Sequence, residues 1–479
     1  MELSARTISR NTGMLTGSLI VQKILSFLYF SYLATRLGVD QTGLYFFALS
    51  FITMLAVFVD WGMVNTLIKQ VAKEPEKTSH YFSQALLIRV LMSGLMYLIL
   101  WVLSLLLGYD LLTRQALHIA GLIMVADSFT LLCYGFLRAH HNTGFEAIGN
   151  ILFQLALVII GGLVIFYNAH ILLALLALLF ASLVNLGWAA SRLFIKLKII
   201  IIWQWDKALT SRIFSLALPF ALAGIFSRLY GYLDTFLLKQ LIGNTALGYY
   251  SLPYKITFVW QFIPLALVAS LYPAFAHYYK TDRMILNKIF NQTLIYLLLL
   301  STPIAIGLSL LANPIMVSIY GVTYQPSASA LSILIFTLPF VFINFPLGYL
   351  LNACDRQKIN TRNIFIAMLI SLAGNLLLIP RFSYIGASIM SIISTFILFL
   401  LGLYYANKII QWQWSVLLPR LGKLLVALGG MAGVILLTMH SWHYLLTILA
   451  ASFIYLGLII ITRLVTLSEF YRLLKFFKE

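Results

Sequence analysis

The sequence predicts an all-α polytopic membrane protein with about fourteen transmembrane helices. Of its 479 residues, 62% are hydrophobic and only 10% are charged. Apolar runs of roughly twenty residues follow one another along the chain, and a run of that length crosses the hydrocarbon core of a bilayer as a helix. A soluble chain of this size would need several charged domain surfaces, and a transmembrane β-barrel would show short alternating segments.

Charged and turn residues bound the apolar runs and so set the predicted helices in order. Six runs form a first lobe over residues 1–205, six form a second lobe over 206–410, and an extra helix pair occupies 411–479. The predicted helices are 13–35, 43–68, 82–108, 116–138, 147–167, 171–195, 213–240, 248–275, 291–312, 327–353, 361–380, 384–407, 420–439 and 444–465. The first run lacks a small-residue cleavage site, so we expect a retained helix.

The distribution of lysine and arginine predicts the orientation of the helices. With a cytoplasmic N-terminus, only Arg36, Arg114, Lys239 and Arg381 fall on the outer side of this arrangement. Positive loops resist translocation, so the asymmetry predicts an even helix count with both termini in the cytoplasm. The net charge of +18 is spread in short clusters at predicted cytoplasmic helix ends. This pattern favours membrane lipids as partners and argues against nucleic acid.

The connecting loops are too short for a catalytic domain, and this argues against an enzyme. The longest lie near 69–81, 196–212 and 276–290, and they hold mostly basic and polar residues. The sequence has no glycine-rich phosphate loop ending in Gly-Lys-Ser/Thr, and its eight histidines lack metal-ligand spacing. We therefore expect no metal and no cofactor.

The chain repeats itself at a spacing of 205 residues. Gly38 and Gly43 are five residues apart and are followed by Tyr45, and they correspond to Gly243 and Gly248, which have the same spacing and are followed by Tyr249. The same shift carries Lys23 onto Arg228. Two cations at equivalent places in two repeats predict an anion site on a pseudo-twofold axis, where transporters built from repeats keep their sites.

Six ionisable residues stand out in the predicted helices, since such a group costs roughly 2.5 to 3.5 kcal/mol at the helix centre. They are Lys23, Arg228, Lys255, Asp60, Asp127 and Asp234. An arginine can hold a phosphate through two parallel hydrogen bonds and a lysine can act as a point charge, so the three cations are candidates for binding a polyanionic head group. The alternative is that the cations only hold the bundle together through acids or helix-end carbonyls.

The intramembrane acids and amides likewise have either a functional or a structural interpretation. Asp127 is a candidate for coupling to a proton or cation gradient, or else a polar contact within the bundle. Asp60 is expected to be structural, and Asp234 is expected to pair with Lys255 at similar depth. Asn150 and Gln154 share one helix face at a spacing of four residues, so they either line a polar cavity or tie helices together.

Five short motifs resemble those of polysaccharide-type flippases of the multidrug/oligosaccharidyl-lipid/polysaccharide exporter superfamily. The resemblance covers about the first 410 residues. The motifs are the Gly38 to Tyr45 segment, Asp60-Trp61-Gly62, Ile319-Tyr320-Gly321 with Tyr324 and Ala328, Leu351-Asn352-Ala353, and Pro380 with Gly386-Ala387. The resemblance implies two pseudo-symmetric six-helix lobes around a central cavity that opens alternately to each side of a bacterial cytoplasmic membrane.

The resemblance also implies a substrate, an undecaprenyl-diphosphate-linked oligosaccharide repeat unit such as that of an O-antigen, with a polysaccharide polymerase as a further partner. Three alternatives stay open. A lipid II flippase of the same superfamily would suit fourteen helices, and a cation-coupled multidrug exporter should have a more acidic cavity. A membrane glycan polymerase or ligase, from a different class, should carry a large external loop with charged catalytic residues.

Overall fold

The computed structural model describes residues 5–412 and 414–464, with side chains from Gly17 onward except Leu19 and Val416. Every regular element in these ranges is helical. The end of the predicted C-terminal helix pair, residues 465–479, lies outside the described residues.

The first nine helices cover the N-terminal half of the chain. A π-helical turn, Leu157–Gly161, joins the fifth helix to the sixth. The helices are α1 (Ala5–Asp60), α2 (Met63–Lys73), α3 (Thr78–Leu106), α4 (Leu111–Ala139), α5 (Gly144–Ala156), α6 (Gly162–Tyr167), α7 (Ile171–Leu197), α8 (Lys207–Leu241) and α9 (Asn244–Phe258).

Eight further helices follow in the C-terminal half. They are α10 (Phe262–Thr281), α11 (Arg283–Leu310), α12 (Ala312–Tyr320), α13 (Ser327–Leu334), α14 (Thr337–Ala353), α15 (Gln357–Ala406), α16 (Trp414–Thr438) and α17 (Tyr444–Ile461).

Backbone breaks fall close to the predicted helix boundaries but not always on them. Helix α1 runs through the first predicted boundary with a kink at Gly38, where φ is 75°. It ends at Asp60, because Trp61 and Gly62 take left-handed backbone angles, rather than at residue 68 as predicted. Helix α3 begins at Thr78 rather than at residue 82, so side chains near its start lie deeper in the helix than expected.

Eleven of the described helical stretches are long and apolar enough to cross a membrane, or twelve if the bent pair Ser327–Leu334 and Thr337–Ala353 is one span. Two of these stretches, Ile20–Lys73 and Gln357–Ala406, have 54 and 50 residues. Each is about twice the length that one crossing needs. The fold class is therefore as predicted, and the count of fourteen stays a prediction.

The chain forms two compact units. The first contains residues 1–252 and 368–384, and the second contains 253–367 and the chain from 385 onward. The predicted division at residues 205 and 410 follows the sequence repeat rather than contacts, and it stays a prediction.

Each unit has its own apolar core. In the first unit, buried side chains such as Phe82, Phe136 and Leu193 join α3, α4 and α7. In the second unit, Leu299 of α11 packs with residues of α16 and α17, and the Tyr455 hydroxyl donates to the Leu299 carbonyl at 2.7 Å. Helix α16 and α17, from the predicted extra pair, are thus fastened to the second unit.

Positions 205 residues apart contact each other within the first unit. The Thr245 hydroxyl donates to the Asp40 carboxylate at 3.1 Å. Gly43 lies so close to α9 that a Cβ on it would overlap the Asn244 carbonyl and stand 2.7 Å from the Gly248 nitrogen. A segment meets its own equivalent only where a twofold relation places both on the axis. The repeat seen in the sequence is therefore also a spatial relation between α1 and α9.

The segment 199–206 between α7 and α8, which we call the strap, lies along the start of α3. Its Ile202 nitrogen donates to the Ser83 hydroxyl at 2.9 Å, and its Asp206 nitrogen donates to the Gln84 side chain at 3.1 Å. Asp206 also caps α8 by accepting from the Leu209 nitrogen at 2.9 Å. Side chains of α3 thus satisfy backbone groups that a connection outside regular structure would otherwise leave unpaired.

Candidate functional site

A cavity of about 350 Å³ lies in the first unit, between four long helices and the short helix α2. Four of its lining residues are ionisable, namely Asp60, Arg89, Asp127 and Arg228. The others are Ile52, Thr53, Ala56, Val57, Gly62, Asn65, Met124, Ser128, Leu131, Phe220 and Gly224. Helices α1, α2, α3, α4 and α8 therefore share one cavity, and three of the six predicted intramembrane ionisable residues meet in it.

Arg228 is exposed on α8, one turn from Gly224, which has no side chain to cover the cavity. The Tyr232 hydroxyl, one turn further along α8, forms a hydrogen bond with the Arg228 side chain. Lys23 of α1 is also exposed, and the positive charge of Arg228 acts on its ammonium group. The repeat-related cations therefore lie within electrostatic range of each other, although Lys23 is outside the cavity lining.

Asp127 lies on α4 and is exposed to the cavity. Its neighbour Ser128 is buried and lies 3.3 Å from the Ser93 hydroxyl of α3. The side of α4 that carries Asp127 is therefore polar although the helix is mostly apolar. An acid and Arg228 share the cavity, and an acid in such a position can bind a proton or a cation.

Asp60, the last residue of α1, forms an ion pair with Arg89 of α3. The Arg89 Nη2 group donates to Asp60 Oδ1 at 2.8 Å. The Arg89 side chain is 0% exposed and that of Asp60 is 21% exposed. Within the described part of the chain, Arg89 Nε and Nη1 have no hydrogen-bond partner.

Arg89 is a buried cation that the sequence did not reveal: it lies near the cytoplasmic start of the predicted helix 82–108 and counts there among the cytoplasmic basic residues. The cause is the position of the helix start, because α3 begins at Thr78 and places Arg89 about three turns inside the helix. The signal that could have found it is Asp60. An acid near the end of an apolar helix needs a partner, and Arg89 is the basic residue of the next long helix.

Asp234 lies away from the lining of this cavity and is buried. It accepts a hydrogen bond from the Tyr250 hydroxyl, and its other oxygen accepts from the Thr235 nitrogen at 2.7 Å. Lys255 is half-buried on α9 and belongs to the second unit. The Asp234–Lys255 pair and a substrate contact of Lys255 stay predictions.

Asn150 and Gln154 do not line this cavity. Asn150 is half-buried, and Gln154 is 1% exposed with neither amide atom bonded to any residue that the structure describes. Gln154 stands just before the π-helical turn, a feature that often marks functional positions in helices. The predicted polar role of these two residues stays a prediction.

The cavity can hold an anion on Arg228, with Lys23 close by, while Thr53, Asn65 and Ser128 offer neutral polar groups. Across the described residues, no group of three or more His, Cys, Asp or Glu side chains could hold a metal ion. The arrangement fits recognition of a charged and hydroxylated molecule within helices that cross a membrane.

Comparison with known proteins supports this interpretation. The family model described as "Polysaccharide biosynthesis protein" matches residues 8–279, and the MatE model matches residues 219–377. The probable low-salt glycan biosynthesis flippase Agl15 of Haloferax volcanii is 20% identical over 414 residues, which cover 86% of this chain and 85% of that protein. The capsular polysaccharide biosynthesis protein CapF of Staphylococcus aureus is 22% identical over 380 residues, which cover 78% and 92%.

Among solved structures, a lipid II flippase MurJ in an inward closed conformation has the same fold. The TM-score is 0.78 at 18% identity, and the alignment covers 96% of this chain and 99% of that one. The first family model matches more than half of the sequence and includes α1 to α8, the helices that carry the cavity. This chain belongs to the polysaccharide biosynthesis protein family, within the multidrug/oligosaccharidyl-lipid/polysaccharide exporter superfamily.

Proposed function

We propose that this protein flips an undecaprenyl-diphosphate-linked oligosaccharide repeat unit from the cytoplasmic to the outer leaflet of a bacterial cytoplasmic membrane. The repeat unit would serve the synthesis of a cell-surface polysaccharide, and a polymerase would consume it outside. The observation that carries the proposal is the cavity inside membrane-spanning helices in which Arg228 is exposed and Lys23 is its charged neighbour.

The two neighbouring cations need an anion. Like charges repel, and in a membrane-spanning bundle less water is present to screen them than at a protein surface. A diphosphate brings two or more negative charges and offsets this repulsion. The planar guanidinium of Arg228 can hold one phosphate through paired hydrogen bonds, and the Lys23 ammonium adds a point charge.

The rest of the cavity fits a glycan. Sugar hydroxyl groups that leave water need replacement hydrogen bonds, and Thr53, Asn65 and Ser128 can supply them. The volume of about 350 Å³ is within the usual range for sites that take small molecules or parts of larger ones. The cavity would hold the diphosphate with its first sugars.

The named relatives support the same class of substrate. Agl15 is a probable flippase in glycan biosynthesis, and CapF acts in capsular polysaccharide biosynthesis. Alternating access with both termini in the cytoplasm is part of the proposal. We further propose that Asp127, which faces the same cavity as Arg228, binds the ion that couples transport to a gradient.

The test is translocation in proteoliposomes of a fluorescent polyprenyl-diphosphate oligosaccharide, with equal reconstitution of each protein. We expect Arg228→Ala and Lys23→Ala each to reduce the rate at least about tenfold, since each removes a charged hydrogen bond to the diphosphate. Arg381→Ala is the matched control, because this arginine is exposed and lies outside the cavity lining. Unchanged transport by both the Arg228→Ala and the Lys23→Ala protein would overturn the proposal.

Two further transport assays test the alternative substrates. Fluorescent lipid II tests the function named for the MurJ structure, and a cationic dye such as ethidium tests drug export, which the partial MatE match and the cavity acids favour. Transport of lipid II alone would reassign the glycan. Transport of the dye alone would reassign the cargo to cations and make the carboxylates, not Arg228, the binding groups.

A further inference from the structure

The Asp60–Arg89 pair has features that a purely structural ion pair does not need. An arginine carries five N–H donors, and a buried polar group without a partner loses the hydrogen bonds it had with water. Arg89 is 0% exposed, yet its Nη2 bonds Asp60 while Nε and Nη1 bond nothing that the structure describes. The buried positive charge is therefore only partly satisfied.

The pair also forms part of the cavity wall. Both residues line the cavity that contains Arg228, and the more accessible member is Asp60. Because Asp60 neutralises the guanidinium and is the more accessible of the two, an anion in the cavity must compete with its carboxylate for Arg89. An anion could use the Arg89 donors only if Asp60 gave way.

The local backbone offers Asp60 a way to move. Asp60 is the final residue of α1, and the next two residues, Trp61 and Gly62, have φ values of 47° and 67°. The helix cannot continue through these angles, so Asp60 sits at a helix end rather than in the middle of a helical turn. Gly62 is packed against α8, since a Cβ on it would lie 2.7 Å from the Ala221 nitrogen. The break itself is therefore held in place by packing, and a displacement of Asp60 would involve only the end of α1.

We propose that Asp60 is an internal counter-ion that an anionic substrate displaces, so that Arg89 becomes a second anion-binding residue of the cavity. This inference rests on the proposed function, in which a diphosphate enters the same cavity. Arg228, helped by Lys23, holds one phosphate, and Arg89 takes the other through Nη2, which Asp60 has released, together with Nε or Nη1. When the anion leaves, Asp60 closes again on Arg89 and the buried charge is neutralised.

The experiment measures binding of farnesyl diphosphate to the full chain in lipid nanodiscs by isothermal titration. We expect Asp60→Asn, which removes the competing charge, to tighten binding about fivefold, and Arg89→Gln to weaken it about tenfold. Glu146→Gln is the matched control, because it also removes a carboxylate from an arginine in the same unit, Arg138, but outside the cavity lining. It should leave binding unchanged.

The Arg89→Lys variant distinguishes a role of Arg89 in anion binding from a purely structural role. It also tests the proposal if the Asp60→Asn protein does not fold. Lysine keeps the positive charge for Asp60 but lacks the second guanidinium edge. We expect this variant to fold and to bind farnesyl diphosphate at least about threefold more weakly. Wild-type affinity in Arg89→Lys, or weaker binding in a folded Asp60→Asn, would overturn the counter-ion proposal.

Failure of the proposed function gives a different result. In that case the wild-type chain would not bind farnesyl diphosphate, or Arg228→Ala would bind it as well as the wild type does. If the wild type binds, Arg228→Ala does not, and both the Asp60 and Arg89 variants behave like wild type, only the counter-ion inference is wrong.

Discussion

Two arginine–carboxylate pairs in the first unit differ in how completely the arginine is bonded. At the turn between α4 and α5, Arg138 donates from Nε and Nη2 to both oxygens of Glu146, each at 2.6 Å. In the cavity wall, Arg89 uses one nitrogen for one oxygen of Asp60. The first pair is bidentate, and the second leaves donors unused although its arginine is the more deeply buried.

The placement of the pairs explains the difference. Arg138 is in the last turn of α4 and Glu146 is in the first turn of α5. The helix dipole stabilises a cation at the end of a helix and an anion at its start. That pair fastens a turn. The Asp60–Arg89 pair lies against a cavity, where a full set of bonds would leave nothing for a ligand. The two pairs therefore differ in the unused donors of Arg89, and the counter-ion proposal rests on that difference.

The largest effect is expected from a change that displaces α1, the helix that carries Asp60, and leaves the α4–α5 turn in place. Gly43→Ala puts a Cβ against the Asn244 carbonyl and the Gly248 nitrogen, so α1 and α9 must separate. We expect the free energy of unfolding to fall by about 3 kcal/mol, with a lower Tm in detergent. Gly231→Ala on α8 is the control, because nothing lies within 4 Å of its added Cβ. Equal Tm values for the two variants would contradict this packing.

The second test breaks the bidentate Arg138–Glu146 pair. Glu146→Gln leaves Arg138 with a neutral partner, and since the charged bonds at this turn hold two helix ends, the free energy of unfolding should fall by about 2 kcal/mol. Transport by the reconstituted protein at a temperature where it stays folded should be unchanged, because Glu146 does not line the cavity. A folded Glu146→Gln protein that cannot transport would show that the turn is not merely structural.

A third test concerns Asp127, the cavity acid that belongs to neither of the two arginine–carboxylate pairs. Asp127 is proposed to bind the coupling ion, so Asp127→Asn should reduce the variation of the transport rate between about pH 5 and 8 to less than about twofold. The measurement is the initial rate of translocation in proteoliposomes over that range. Asp110→Asn, which removes a carboxylate from the cap of α4 outside the cavity, should keep the wild-type pH profile.

The smallest effect is expected at an exposed carboxylate. The Leu209 backbone N–H and the His80 ring hold the pKa of the Asp206 carboxyl below its usual value. A depressed pKa means that this contact stabilises the strap at neutral pH and is lost as the pH falls below about 4. The fluorescence of Trp203 and Trp205 should report the release of the strap on acidification. Ser79→Ala, which removes only the bond to the Ile200 nitrogen, should leave the midpoint pH unchanged.

The sequence by itself determined the fold class and the repeat, and it singled out Lys23 and Arg228 as cations at equivalent positions. Long apolar runs can satisfy their backbone in a membrane only as helices, so composition was enough for the class. The 205-residue spacing linked Lys23 with Arg228, and it also linked Gly38 with Gly243, both of which have positive φ. Equivalent positions of a repeat have the same local structural needs and so keep similar residues. The repeat can therefore be recognised from the sequence without coordinates.

Only the tertiary structure decided which polar groups meet and how many bonds each makes. Asp60 and Arg89 are 29 residues apart on different helices, and no periodicity of the sequence pairs them. The start of α3 at Thr78, which fixes the depth of Arg89, depends on the turn after α2 rather than on the apolar run. Hydrogen-bond completeness is a property of three-dimensional packing, because a side chain's unused donors are known only when all its neighbours are placed.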